Sequence, residues 1–538
     1  ERGVAPAVIQ RARQFLRRPG LSVLPEAEIA CELAPMHAMH DPTEGGLATA
    51  LWEVADAAGV GLRIDRERIV TLPEGASHAC RLIVCPERAY LPERLAAGGR
   101  AAGLAISLYG LRSERNWGCG DFTDLERLAA WSVERLGVSF IALNPLHALA
   151  NRQPYNTSPY LPYCTFYKNL LYLDVERVPD FASSPLACRA ARCRRVQDEV
   201  RALRASEFVE YERVQALKLR ILRILFRAFL REWRAGTPRA LEFRAYIERE
   251  GALLDRYAVY SALDEWLHAQ NPDVWTWDRW PEPYRDPESA ETRDFARLHW
   301  RRVLFFKYVQ WQIDAQLEEV HRSARQQGME IGLYHDLALA TDRYASDLWS
   351  GRRFYVAGCR VGSPPDDFAP QGQDWGFPPP NSEAHYEDGY RVFAETIRKN
   401  SRHGGALRID HVMRFFRLYW IPDGRSAAEG TYVRDRHEDL LRILALESVR
   451  GRFLVVGEDL GTVPDFVRET LARFGILSYR LFYFEDPLRP EHLDTFRIIR
   501  QQSSTPLAMG EIYTGQWDGL NLITEHLIDY VRHDLVHC

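Results

Sequence analysis

Residues Gly404–Gly424 read GGALRIDHVMRFFRLYWIPDG. A short apolar run, Ala406 to Ile409, is interrupted only by Arg408 and ends on Asp410 and His411, and aromatic residues follow at once. The run has the length of a buried strand rather than of a helix. Working outward, other short apolar runs end in the same way, on polar or charged residues. They are LAISLYGLRS, SFIALNPLH, EIGLYHDLALA, FLVVGEDLG, SYRLFYFED, TPLAMGE and LIDYVRHD, eight in all with the first. Helical patterns lie between them. Alternating strands and helices imply parallel strands, and eight repeats of the unit predict an α/β fold, a (β/α)8 TIM-type barrel. Between the second and third runs, residues 190–328 carry long Arg- and Glu-rich helical patterns such as VQALKLRILRILFRAFLREW. These predict a large helical insertion. Residues 1–75 read separately, as helix, loop, helix and strand, a small α+β piece with Asp41 and Thr43 as helix caps.

Bulk properties narrow the function. The chain has 538 residues, 46% hydrophobic and 27% charged, with a formal net charge of -5. That is the composition of an ordinary globular protein, and it argues against a nucleic-acid binder, which would carry a basic domain. No apolar run is long enough to span a bilayer, and no basic-then-apolar leader opens the sequence, so a cytoplasmic enzyme is expected. The nine cysteines are scattered without a C-x-x-C pair, which suggests reduced thiols. Lysine is confined to Lys168, Lys218, Lys307 and Lys399, a bias read as codon usage. The charged start and the apolar stop at YVRHDLVHC read as cut ends.

Barrel enzymes place their chemistry at the C-terminal ends of the strands. Asp410 ends the fourth run and Glu458, in VVGEDLG, ends the fifth, so neighbouring strands bring two carboxylates together. A pair about 5–5.5 Å apart suits retaining glycoside chemistry, one carboxylate as nucleophile and the other as acid/base. Arg408 stands two residues before Asp410 on the same face, where its charge keeps Asp410 ionised. Glu458 needs a more apolar setting to hold a proton. Buried ion pairs closing the barrel would explain either carboxylate alone. The pair, with aromatics close by, points to catalysis. QGQDWGFPPPN puts Trp375 in a Gly- and Pro-rich loop, and NTSPYLPY does the same for Tyr160 and Tyr163; each ring is a platform for a pyranose face or a loop-packing residue.

Over about residues 76–485 the sequence resembles the 4-α-glucanotransferases, also called amylomaltases. The matching stretches are SLYGLRSERNWGCGDFTDL, NPLHAL, SPYLPY, GQDWGFPPPN, RIDHVMRFFRLYWIP and GEDLGTVP. The resemblance implies Asp410 as nucleophile and Glu458 as acid/base. It implies Arg408, His411, Asp336, Trp375 and Tyr160 as sugar contacts. It further implies transfer of α-1,4-glucan segments between maltodextrins through a glycosyl-aspartate, with no cofactor. One departure stands out: the family's third carboxylate, in a Thr-His-Asp motif, is absent.

The flanks resemble other families. HDPTEGGLATALWEVADAAGVG, within residues 1–75, is similar to the C-terminal domain of AIR-synthase-related proteins. FEDPLRPEHLDTFRIIRQ, TPLAMGEIY and LIDYVR, from about residue 479 to 538, are similar to mannonate dehydratase of the enolase superfamily, whose Mg2+ ligands correspond to Glu485 and Glu511. The chain therefore reads as a composite of three fragments. Residues 486–538 are expected to supply barrel strands seven and eight, placing Glu511 where the lost carboxylate belongs and lining up Glu458, Glu485 and Glu511 as a possible Mg2+ site. Two other functions fit parts of the sequence: a Mg2+-dependent acid-sugar dehydratase fragment, and a glucan-binding remnant without turnover.

Overall fold

Four apolar residues suffice for a strand when both of its faces are covered, and most of the barrel strands here are that short. The computed structural model describes residues 85–152, 157–366, 369–460, 463–479, 484–485, 492–502, 506–509 and 519–531. The small N-terminal piece expected over residues 1–75 lies outside the described residues. A curled sheet of six parallel strands organises the rest. In order these are β1 (Gly103–Ile106), β2 (Phe140–Leu143), β3 (Gly332–Leu337), β4 (Ala406–Ile409), β5 (Leu454–Gly457) and β6 (Leu477–Ser478).

Helices cover the outer face. α1 (Phe122–Leu136) starts in a capping box between Asp121 and Asp124 and stops at Gly137, whose φ of 62° is the left-handed cap that glycine adopts without strain. The insertion is built around α2 (Tyr211–Ala235), α3 (Pro238–Gln270, kinked at Gly251) and α4 (Trp300–Gln326). The sequence GTP turns α2 into α3: Gly236 closes one helix, the Thr237 side chain accepts from the Ala240 N–H, and Pro238 opens the next. α5 (Arg391–Ser401) and α6 (His437–Gly451) flank β4.

Period-two alternation sorts each strand's residues. Leu407, Ile409 and Val455 join the outer core with Ile397, Leu441 and Leu444 of α5 and α6. Ala406 and Leu454 point the other way, into an apolar barrel floor with Ile331, Phe140 and Tyr334 that Leu91 and Leu95 close from below. The same inner face then carries Arg408 and Asp410 along β4, and Glu458 just beyond β5. Buried lysines brace the insertion against the barrel. Lys218 Nζ donates to the Leu171 and Leu173 carbonyls, and Lys168 Nζ donates to Asn400 Oδ1 at 2.6 Å. Lys399 pairs with Glu250 inside the protein. Three of the lysines that codon bias seemed to explain are thus structural.

The expected strands are found, with one correction. The described residues of SYRLFYFE fall in two different sheets. Leu477–Ser478 ends the six-stranded sheet, whereas β7 (Phe484–Glu485) pairs in parallel with β8 (Leu507–Met509), and β8 with β9 (Tyr530–Val531). The expected helices between them form at Leu493–Gln502 and Leu520–Thr524. Among the described residues, these three strands make their own sheet and do not extend the six-stranded one. Phe496, Leu507, Met509, Leu522 and Leu527 bury one another in a separate small core. The apolar burial that would drive the tail into the barrel is met within the tail.

The Gly404-Gly405 pair admits β4 to the sheet. A Cβ on Gly405 would lie 1.8 Å from the Ile331 carbonyl oxygen, and one on Gly404 would lie 2.4 Å from the His335 ring. Gly405→Ala is therefore expected to destabilise the protein by at least about 3 kcal/mol, the upper range for overpacking. Gly110→Ala, whose Cβ meets nothing closer than 4.0 Å, is the control. A thermal melt in which the two variants match would contradict the packing.

Candidate active site

Register fixes the site before any side chain is considered. Asp336 on β3 is the register partner of Arg408 on β4, and Ile409 is the partner of Gly457 on β5. Asp410 and Glu458, each one residue further on, thus emerge side by side at adjacent strand ends. The Asp410 N–H donates to the Leu337 carbonyl and the Glu458 N–H to the Ile409 carbonyl, which carries the ladder out to both residues.

Arg408 is the hub. Its Nη1 donates to both Asp336 oxygens at 2.8 and 2.9 Å, its Nη2 lies 2.9 Å from Asp410 Oδ1, and its Nε donates to the Tyr479 hydroxyl at 2.9 Å. Burial works against the guanidinium, but Asp336 and Asp410 hold it protonated above its ordinary range. Asp336 is buried, and Tyr160 donates its hydroxyl to Asp336 Oδ2 at 2.9 Å. Burial pushes the Asp336 carboxyl up, to about 6; Arg408 opposes this, and the Asp410 charge adds to it. The two partners shift in the same direction because one guanidinium serves two carboxylates and Asp336 is the more deeply buried of the two.

Asp410 has a second contact. Its Oδ2 accepts the Leu339 N–H at 3.2 Å. Among the described residues Glu458 is held by backbone donors: the His411 N–H donates to Oε2 at 2.9 Å and the Leu460 N–H to Oε1 at 2.8 Å. The apolar setting expected for Glu458 is therefore corrected to a polar, half-buried one. His411 reaches this position through a left-handed backbone, φ 48°, uncommon for a residue other than glycine. Burial lowers its imidazole below the ordinary range.

Trp375 approaches from an unexpected element, an antiparallel sheet of Cys359–Ser363, Gln373–Asp374, Arg417–Pro422 and Thr431–Arg434. The Trp375 N–H donates to the Val361 carbonyl at 2.9 Å. Its ring meets His411 edge-on at 5.4 Å and stacks on Phe377 at 6.3 Å. Tyr160 is 41% exposed, with the Arg408 guanidinium 5.9 Å from its ring centroid. Tyr163 does not: it packs edge-on against Tyr260 at 5.0 Å in the main core, so its loop-packing reading holds.

The structure thus gathers Asp410, Glu458, Arg408, His411, Asp336, Trp375 and Tyr160 in one cluster. Glu511 lies outside the described residues, and of Glu485 only the backbone is described, in β7. The expected Mg2+ array of Glu458, Glu485 and Glu511 rests on those positions. Among the described residues no three His, Cys, Asp or Glu side chains are grouped to hold a metal ion. Sequence reading missed Tyr479 and Asp459. Buried Asp459 accepts the Tyr479 N–H at 2.8 Å, setting that residue beside Arg408. The signal was present in GEDLG, whose adjacent acids must face opposite sides of a strand end.

A family model described as 4-alpha-glucanotransferase matches residues 106–505. The chain belongs to this family. It is 38% identical over 424 residues to the 4-alpha-glucanotransferase of Mycobacterium tuberculosis, covering 77% of this chain and 56% of that protein. To the Haemophilus influenzae 4-alpha-glucanotransferase it is 36% identical over 408 residues, covering 75% of this chain and 58% of that protein. The amylomaltase structure from Corynebacterium glutamicum superposes with a TM-score of 0.64 at 30% identity, covering 82% of this chain and 58% of that one. This glucanotransferase-family chain thus spans somewhat more than half the length of these relatives. The likeness supports the α/β barrel architecture with its helical insertion. Residues 11–88 match a second family model, the AIR synthase related protein C-terminal domain. No helix among the described residues is long and apolar enough to cross a membrane.

The Asp336 shift has a signed consequence. A carboxyl with its folded pKa raised to about 6 takes up a proton on folding between its ordinary 3.8 and about 6. Its contribution to stability therefore falls as pH rises through that window. Asp336→Asn removes this term. The melting temperature of the variant minus that of the parent should increase from pH 4.5 to pH 6.5. A difference that is flat or falls over that range would contradict the burial argument.

Proposed function

We propose that this chain carries the catalytic half of a 4-α-glucanotransferase, transferring α-1,4-glucan segments between maltodextrins with retention at the anomeric carbon. The observation that carries the reading is the pair of carboxylates at paired strand ends, held by different means. Asp410 is bound to a cation and to a backbone donor, whereas Glu458, among the described residues, is bound by backbone donors.

In the first step an Asp410 oxygen attacks the anomeric carbon of the donor glucan. The glycosidic C–O bond breaks, and the departing oxygen takes a proton from the Glu458 carboxyl. To present that proton, Glu458 lets go of one backbone N–H, and the exposed Leu460 side of its carboxyl is the freer one. In the second step the 4-hydroxyl of an acceptor glucan gives its proton to Glu458 and its oxygen attacks the same carbon, releasing Asp410. Arg408 offsets the charge that Asp410 gains and loses. Trp375 and the part-exposed Tyr160 ring serve as stacking platforms for the sugar rings. The chemistry is complete in protons and carboxylates, so no metal enters it. No Thr-His-Asp sequence occurs among these 538 residues.

We further infer that the polypeptide joins pieces of different families: an AIR-synthase-related segment, the glucanotransferase barrel, and a tail similar to mannonate dehydratase. The match of residues 11–88 supports the first of these pieces, and the tail's assignment rests on its stretches FEDPLRPEHLDTFRIIRQ and TPLAMGEIY. A single sequencing read of the source DNA across both junctions tests the origin of the join.

Maltotriose incubated with the protein should give both longer and shorter maltodextrins on thin-layer analysis, unchanged by a chelator. Asp410→Asn should lower the rate at least a thousandfold, because an amide cannot form the glycosyl ester. Binding without new products would favour a glucan-binding remnant, and loss of activity on chelation would favour metal chemistry.

A further inference from the structure

Arg414 lies four residues beyond Asp410 but is turned back toward it. The left-handed His411 starts a short 3-10 turn, Val412–Phe415, closed by the Arg414 N–H donating to the His411 carbonyl at 2.9 Å. Half-buried, the side chain lines a cavity of about 80 Å3 behind the strand ends, with Leu337, Tyr355, His385 and Asp435. Its Nη1 donates to the Ala338 carbonyl at 3.1 Å. The N–H of Leu339 donates to Asp410 Oδ2 at 3.2 Å. The Ala338 C=O and the Leu339 N–H belong to one peptide group. A cation therefore sits on the oxygen of the same amide whose N–H holds the carboxylate.

A donor on an amide oxygen draws electrons through the conjugated C–N bond and makes the N–H a stronger donor. We propose that Arg414 is a positioning residue that acts on Asp410 through the Ala338–Leu339 peptide, orienting its carboxylate and stabilising its charge without touching it. This rests on Asp410 being the nucleophile. It differs from the Arg408 contact in direction: Arg408 holds Oδ1 from the barrel interior, while the relayed peptide holds Oδ2 from behind. The opposite oxygen positions leave the carboxylate no free rotation. When Asp410 departs in the second step, the polarised N–H is what receives its returning charge.

The groups facing Asp410 are Arg408, His411 and Arg414 from its own segment, Asp336 from β3, Tyr160 from its loop, and Glu458 from beyond β5. The test replaces Arg414 and leaves the others in place. Arg414→Met keeps length and loses the cation; Arg414→Lys keeps the cation. The direct readout is the Leu339 amide proton in protein labelled with 13C-carbonyl alanine and 15N-leucine, assigned by its loss in Leu339→Met. The resonance should lie downfield in the parent, move upfield in Arg414→Met and return part-way in Arg414→Lys. In the transfer assay kcat should fall about tenfold in Arg414→Met with KM within twofold, a loss of the size of one charged hydrogen bond. The acidic limb of the kcat profile should move to higher pH, since a carboxylate that loses a donor holds its proton more tightly. An unmoved Leu339 resonance would overturn the relay whatever the activity. So would an acidic limb that stays in place while kcat falls in both variants, the mark of a packing role. Failure of the underlying reading looks different: Asp410→Asn would keep transfer activity while the Leu339 resonance still responds to Arg414.

Discussion

One guanidinium ties the site to the fold. Arg408 lies within β4 and bonds to Asp336 on the neighbouring β3, to Asp410 at its own strand's end, and, across β5, to Tyr479 just past β6. Its three contacts span the curl of the sheet, so the charge balance of the site and the curvature of the barrel are a single constraint. A flat sheet would draw Tyr479 away. A missing carboxylate would leave a half-buried cation short of a partner, which costs several kcal/mol. The apolar floor of Ala406, Leu454, Phe140 and Tyr334 excludes water from below, so these pairs act in a medium where they are stronger than at a surface.

Differences between the two carboxylates follow from what lies one residue away. Asp410 precedes a residue in left-handed conformation, and the resulting turn sends the His411 N–H to Glu458 while bringing Arg414 back beneath the Ala338 carbonyl. Glu458 precedes Asp459, whose side chain faces away and anchors Tyr479 and Arg468. In this way two short loops after β4 and β5 assign opposite surroundings to two acids that the sheet itself treats alike.

Much of this was legible in the sequence because it depends on local rules. Strand length and the alternation of Ala406, Arg408 and Asp410 with Leu407 and Ile409 are properties of neighbouring residues. The antiparallel sheet that carries Trp375 was not legible, since Cys359–Ser363 becomes a strand by pairing with Arg417–Pro422, far along the chain, and Gln373–Asp374 pairs in turn with Cys359–Ser363. Nor was the role of Tyr479, which depends on the curl that brings β6 near β4 across β5. The tail misled for a physical reason: its strands and helices have the lengths of a barrel's, but length does not decide which edge a strand pairs with. Leu507, Met509 and Phe496 found partners within the tail itself.

The central claim is that Asp410 becomes bonded to the transferred sugar. It is tested most directly in Glu458→Gln incubated with α-maltotriosyl fluoride. Fluoride leaves without a proton donor, and with no base to activate an acceptor the ester should persist. Proteolysis and mass spectrometry should then find a maltotriosyl group on the peptide containing Asp410, and none on the same peptide from the variant that also carries Asp410→Asn. An unmodified Asp410 peptide after fluoride release, or a sugar bound to a different residue, would contradict the account.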